Sequence, residues 1–206
     1  TLWVYRTDPD CLGWTKHMGR TGPELVYGRG GYCWHRARLG EAWIPNADTP
    51  GSPGYGLIQP VSSPLLLEDE IRFYFTRSRE RHGEDHLARD DRPEREVCFA
   101  RSRPDRFVGA RSGDVGTLLT RPFWHEAPRL FLNARCQRGG AVRAAVTDVS
   151  GKELPGFEID RSIAFDGDAT AAELRWSGEP DLGLLAGREI RLRLRASKAT
   201  LFSIAA

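Results

Sequence analysis

His82 and His86 close the pentapeptide His82-Gly83-Glu84-Asp85-His86, a spacing that presents two imidazoles to one metal ion when the segment is helical. Gly83 and the charge packed around it oppose a helix, so no metal is assigned there. Carboxylates are plentiful, but they gather where turns fall. Asp8 and Asp10 flank a proline, Glu68-Asp69-Glu70 separates two apolar runs, and Glu84, Asp85, Asp90 and Asp91 belong to one charged stretch. Acids in such places read as solvated turn residues, and none is assigned a catalytic role. No G-x-S-x-G element offers a serine nucleophile, and no glycine-rich loop leads from a strand into a helix to hold a nucleotide. Neither a catalytic residue nor a cofactor is therefore expected within the chain. A different set remains: Trp43, Tyr55, Gln59, Arg77 and His82 lie on or beside one loop and the strand that follows it. Flat indole and phenol faces stack on the C–H face of a sugar, while amide, guanidinium and imidazole groups bond its hydroxyls. These five are the candidate binding residues.

The elements that must position them follow from punctuation and pattern. Residues 42–54, AWIPNADTPGSPG, are too rich in Pro, Gly, Asn and Asp for regular structure. They feed Tyr55-Gly56-Leu57-Ile58-Gln59, read as an innermost strand with glycine where backbones crowd. On either side the first half repeats itself. Leu2-Trp3-Val4-Tyr5-Arg6-Thr7 is answered by Ile71-Arg72-Phe73-Tyr74-Phe75-Thr76, and Glu24-Leu25-Val26-Tyr27-Gly28-Arg29 by Glu96-Val97-Cys98-Phe99-Ala100-Arg101. A turn and an aromatic strand follow each copy, Tyr32–Arg36 in the first and Arg106–Val108 in the second. Ser63–Leu67 adds a short strand before the acidic turn. Two copies of strand, long loop, strand, turn, strand have the texture of propeller blades, which bury their faces only against neighbouring blades. Residues 77–95, RSRERHGEDHLARDDRPER, form a solvated loop.

Beyond residue 115 the texture changes. Arg129–Ala134, Ala141–Asp148, Phe157–Ile159, Ala171–Trp176, Ile190–Ala196 and Thr200–Ile204 read as short antiparallel strands, with Leu182–Gly187 a turn segment. Strict alternation in Ile190-Arg191-Leu192-Arg193-Leu194-Arg195 sends three apolar side chains to one face and three arginines to the other. Trp176 and Trp124 are expected to pack within or beside this module, and Trp14 and Trp34 to wedge between blades. The expected fold class is all-β: a partial β-propeller of about two blades over residues 1–115, then a small antiparallel β-sandwich over 116–206.

Bulk properties exclude several classes. The chain has 206 residues, 40% of them hydrophobic and 28% charged, as in ordinary globular proteins. A net charge of +2 gives no case for nucleic acid. Only Lys16, Lys152 and Lys198 are lysine, so arginine makes up nearly all the basic residues. Cys11, Cys33, Cys98 and Cys136 are too dispersed for a disulfide framework and are expected to be mostly buried free thiols. No apolar run is long enough to cross a bilayer, and no signal peptide is visible, which gives the expectation of a soluble chain whose compartment is unknown. Its opening in mid-strand at Leu2-Trp3-Val4-Tyr5 gives the expectation that the natural protein continues upstream.

Three passages carry a resemblance. DRFVG…GTLLTRPF (residues 105–123), PELVYGRGGYCWHR (23–36) and the run from LFLNARC through VTDVSGKELPGF, LRWSG and DLGLLAGREIRLRLRASKATLFSI (130–204) resemble a glycoside-hydrolase-like group of five-bladed β-propellers with a C-terminal β-sandwich, allied to furanosidases and invertases. Gly30-Gly31 stands where that group often has Asp-Gly. The resemblance implies the last two blades and the sandwich of such a protein, forming one wall of a carbohydrate funnel. It also implies that the hydrolytic carboxylates, roughly 5–5.5 Å apart for retention or 6.5–9.5 Å for inversion, sit on earlier blades. None of the chain's own acids is carried over, so it is expected to be inactive alone and a glycosidase only with the missing blades. The implied partners are an oligosaccharide or glycoside and the missing blades or a second chain, with neither nucleic acid nor membrane. Two other readings stand beside it: a non-catalytic carbohydrate-binding module, and a scaffold that pairs through open blade edges.

Overall fold

A computed structural model describes residues 2–6 by their backbone and residues 19–28, 31–61, 63–81 and 95–206 in full. The described residues contain no α-helix; strands dominate, with two short 3-10 turns at Ile159–Arg161 and Leu182–Leu185. No helix among them is long and apolar enough to cross a membrane. The chain divides into two compact units, Thr1–Ser102 and Arg103–Ala206. This divide falls earlier than the 115/116 boundary drawn from sequence texture.

The first unit holds β1 (Leu2–Arg6), β2 (Arg20–Glu24), β3 (Val26–Tyr27), β4 (His35–Arg36), β5 (Leu57–Pro60), β6 (Leu65–Leu66), β7 (Ile71–Ser78) and β8 (Arg95–Ser102). Strands β1-β2-β5-β7-β6 form one path, β8 pairs along all of β7, and β3 and β4 make a separate two-stranded ribbon. Strands β2 and β5 meet at one parallel contact, Thr21 opposite Leu57, where the Thr21 N–H also donates to the Gly56 carbonyl at 3.0 Å. Gly56 is required there, because a Cβ would stand 1.7 Å from the Glu80 carbonyl oxygen. Of the aromatic strand expected at Tyr32–Arg36 only His35 and Arg36 are paired, and Tyr32 and Trp34 face solvent at 95% and 63% exposure. Trp34 is thus no buried wedge, and Trp14 lies outside the described residues. Ile58, Ile71 and Phe75 are buried on one face of this sheet and Leu57 on the other, while Val97, Phe99, Leu65 and Leu66 are exposed.

The second unit contains β9 (Ala110–Arg111), β10 (Gly116–Leu119), β11 (Phe123–His125), β12 (Phe131–Thr147), β13 (Asp168–Glu173) and β14 (Arg188–Ala205). β14 is its spine: β12 pairs with one edge, and β11, β10 and β9 pair in succession with the other. The sequence reading divides each long strand in two. Instead β12 runs for 17 residues and β14 for 18, each continuous. Register shifts between Cys136 and Ala141, where Gly139 takes φ 72° and Lys198 opposite takes φ 45°. A glycine pair that resembles a turn in sequence therefore serves as a bulge, which bends a strand without ending it. Phe157–Ile159 forms no strand; its place is taken by the 3-10 turn at Ile159–Arg161.

The alternation in β14 places Ile190, Leu192 and Leu194 at 1%, 0% and 1% exposure. They join Leu130, Leu132, Val146, Phe157 and Trp176 in a continuous apolar core. Trp176 donates its indole N–H to the Ala144 carbonyl at 2.8 Å, so the ring is buried with its polar atom satisfied. Trp124, by contrast, is 67% exposed. His125 is fully buried, and neither ring nitrogen has a hydrogen-bond partner among the described residues.

Arg106–Val108, read from sequence as a blade strand, is not a strand. Arg106 instead turns into the second unit, its side chain only 9% exposed. Nε donates to Asn133 Oδ1 at 2.9 Å, and Nη2 donates to the carbonyls of Ala134 and Ala169 at 3.3 and 3.1 Å. Nη2 also meets the Asp168 carboxylate at 2.6 Å, and the guanidinium lies 4.7 Å from the Phe202 ring centre. Asn133 in turn donates to the Pro104 carbonyl at 2.8 Å. Gly109 completes the strap, since a Cβ there would meet Thr200 at 2.5 Å and Phe202 at 2.9 Å. The DRFVG passage is thus read by packing: one arginine satisfied by five groups, and one glycine at a close approach.

Candidate functional site

Asn46 organises the loop that carries the candidate residues. Its side-chain NH2 donates to the carbonyls of Thr21, Gly54 and Gly56 at 3.0, 3.2 and 3.5 Å. Those carbonyls flank the loop's return into β5, so a single amide fixes the path of residues 44–56 against β2. Gly54 adopts φ 85°, a conformation open to glycine at no steric cost. The Trp43 backbone N–H donates to the Pro23 carbonyl at 2.7 Å, and its indole meets Phe73 edge-on at 4.5 Å.

Strand register sorts the rest. Ile58 lies opposite Arg77 and Gln59 opposite Thr76. Directly opposed residues share a face and successive residues alternate, so Gln59 and Arg77 point to opposite faces of the sheet. Phe73 shares the face of Arg77, and Trp43 with it. Gln59 keeps company with Thr76, whose hydroxyl lies 3.5 Å from its side-chain oxygen. Arg77 is engaged by Glu96, with Nε and Nη2 each 2.6 Å from Oε2. That hydrogen bond holds the guanidinium above its ordinary value. Arg77 is thus occupied by its own strand neighbour. His82 lies outside the described residues, as do His86 and Cys11.

Tyr55 lies half-buried in a bend, since the strand expected from Tyr55 starts only at Leu57, and it gathers two residues that sequence reasoning missed. Arg81 donates from Nη2 to the Tyr55 hydroxyl at 3.0 Å, with its guanidinium 5.6 Å from the ring centre. Arg20 places its guanidinium 5.1 Å from the same centre. Both contacts fall within the range of cation–π attraction. Nothing in the local pattern of either arginine marks it, because Arg20 precedes Tyr55 by a whole loop and Arg81 looks like one charge among many. Two further side chains stand close in sequence to the cluster. Glu24 is buried at 1% exposure and faces Arg36 at 3.4 Å. Ser78 donates to the Glu80 carboxylate, which fixes the backbone just before Arg81.

The arrangement offers hydrogen-bond donors around an aromatic ring. Among the described residues no group of three His, Cys, Asp or Glu side chains could hold a metal ion. Cys33, Cys98 and Cys136 are free thiols, but none is fully buried and Cys33 is exposed, contrary to the expectation from dispersal. Glu70 bonds Arg72 at 2.5 Å in its turn. No family model matches the chain, and neither a curated protein nor a solved structure is significantly similar to it.

Proposed function

We propose that the chain is the C-terminal part of a glycoside-hydrolase-like protein, about two propeller blades followed by a sandwich, whose first unit forms part of a carbohydrate-binding funnel and does not hydrolyse by itself. The observation that carries this reading is Tyr55, a half-buried ring just before β5 with the guanidinium groups of Arg20 and Arg81 5.1 and 5.6 Å from its centre. An aromatic face with guanidinium donors around it matches a sugar ring, whose C–H face stacks while its hydroxyls accept hydrogen bonds. Trp43 and Gln59 stand on the neighbouring loop and strand, and Arg77 buttresses Glu96. The all-β architecture and the bulged long strands of the second unit are compatible with the proposed blades and sandwich.

Titration of the full chain with short neutral oligosaccharides, followed by NMR, tests the reading. Saturable shifts at Tyr55 and Gln59 are expected, with Tyr55→Ala weakening binding at least about tenfold and Tyr55→Phe retaining most of it. Unchanged affinity in Tyr55→Ala would remove the funnel assignment. One observation favours the scaffold reading: β8 pairs only with β7 among the described residues, and its Val97 and Phe99 are 77% and 51% exposed. An unpaired strand edge recruits strands from other chains.

A further inference from the structure

The second unit contains a cleft of about 350 Å³, at the lower end of ligand-site volumes. Its floor is rigid: Trp176 is 2% exposed, bonded through its indole N–H and packed edge-on against Phe157 at 5.3 Å, and Leu182 beside it is 6% exposed. Ile163, 55% exposed, and Pro180 supply an apolar wall open to solvent. Glu173, Arg175 and Glu179 form a polar rim. Arg175 donates through Nε and Nη2 to one oxygen of Glu173, at 3.1 and 2.7 Å. The second Glu173 oxygen and the Glu179 carboxylate have no hydrogen-bond or ion-pair partner among the described residues.

Glu179 has a second peculiarity. It adopts φ 46° directly before Pro180 and directly after Gly178 at φ 83°. A left-handed conformation is disfavoured for a residue with a Cβ, and a following proline restricts it further. Glycine would occupy position 179 at lower cost. A carboxylate held there against backbone strain points to work done by the carboxylate.

We propose that this cleft binds a neutral saccharide of one or two rings. Vicinal hydroxyls can donate to Glu173 and Glu179 and accept from Arg175, while the C–H face of the ring rests on Ile163 and Pro180. The rim carries two negative groups and one positive, so an acidic sugar is repelled. The site is built wholly within the second unit and does not depend on the reading of Tyr55.

The test is NMR titration of the full chain, read at the Ile163 and Leu182 methyl groups, with sucrose, xylobiose and cellobiose as neutral probes and glucuronic acid as the charged one. Saturable shifts are expected for at least one neutral probe and weaker or no response to glucuronic acid. Glu179→Gly is expected to weaken binding about tenfold or more while raising Tm, because glycine relieves the positive φ. Arg175→Ala weakens binding without loss of fold, and Tyr55→Ala leaves these shifts unchanged. Absence of saturable shifts with every neutral probe, an equal response to glucuronic acid, or full affinity in Glu179→Gly would overturn the proposal.

Discussion

Arg106 shows how one side chain can hold a connecting segment in place. Its charge is removed from water, and Asn133, Ala134, Ala169 and Asp168 take up its donors while Phe202 covers its face. Truncation to alanine leaves those acceptors without their partner, so Arg106→Ala is expected to cost about 3 kcal/mol in urea unfolding. Arg106→Lys recovers little, since an ammonium cannot reproduce the planar fork. The same contact sets a pH dependence. The Arg106 hydrogen bond, aided by the charges of Arg106 and Arg103, holds the Asp168 carboxyl below its ordinary value. A carboxylate whose folded pKa is depressed contributes stability above its unfolded value, about 3.9, and loses it as pH falls through the folded value. Asp148 is shifted the same way, first by the Ser150 hydroxyl. Tm is therefore expected to hold from neutral pH down to about 4 and to fall below that, with Asp168→Asn lowering the plateau and flattening the acid limb. A scan of Tm against pH for the two proteins checks it.

Elements were legible where side-chain pattern alone decides them and obscure where backbone geometry or distant partners decide. Ile190, Leu192 and Leu194 declare their face by alternation, and Ile71–Ser78 and Arg95–Ser102 emerge as the long hairpin that their β-branched and aromatic residues imply. The break read between Ala134 and Ala141 is absent because Gly139-Gly140 forms a bulge within β12, and the same dipeptide also suits a turn. Arg106-Phe107-Val108 misleads because a polar residue next to two apolar ones mimics an exposed strand, while its partners sit far along the chain. At the candidate site, Trp43, Tyr55 and Gln59 could be picked out by residue type, but which face each occupies depends on the β5–β7 register. Arg20 and Arg81 give no local signal at all. The bulge offers a sharp test. A Cβ on Gly140 would stand 2.6 Å from both the Lys198 and Ser197 carbonyl oxygens, whereas one on Gly113 meets nothing within 4 Å. Gly140→Ala is expected to destabilise by about 2 kcal/mol, Gly113→Ala by less than about 0.5 kcal/mol, both read from denaturant midpoints.

The described residues of the two units differ in how much apolar surface they remove from water. The second has a continuous core running from Leu130 to Leu201, flanked by strands on both sides of β14. Among its described residues the first buries Ile58, Ile71 and Phe75 on one sheet face and Leu57 on the other, and leaves Tyr27, Trp34, Val97 and Phe99 exposed. Burial is the main favourable term in folding, so resistance to opening is expected to follow it. Amide hydrogen exchange should show β12 and β14 as the slowest strands and β5, β7 and β8 as markedly faster. Equal protection across the two sets would contradict that ranking.

The strap has a practical corollary for anyone dividing this gene product. A cut placed at residue 116, where the composition changes, would discard Ala110–Arg111 from the edge of β14 and the guanidinium that plugs Asn133 and Asp168. Liberating the C-terminal half intact requires the scissors upstream of Arg103, so that the piece keeps its own fastening.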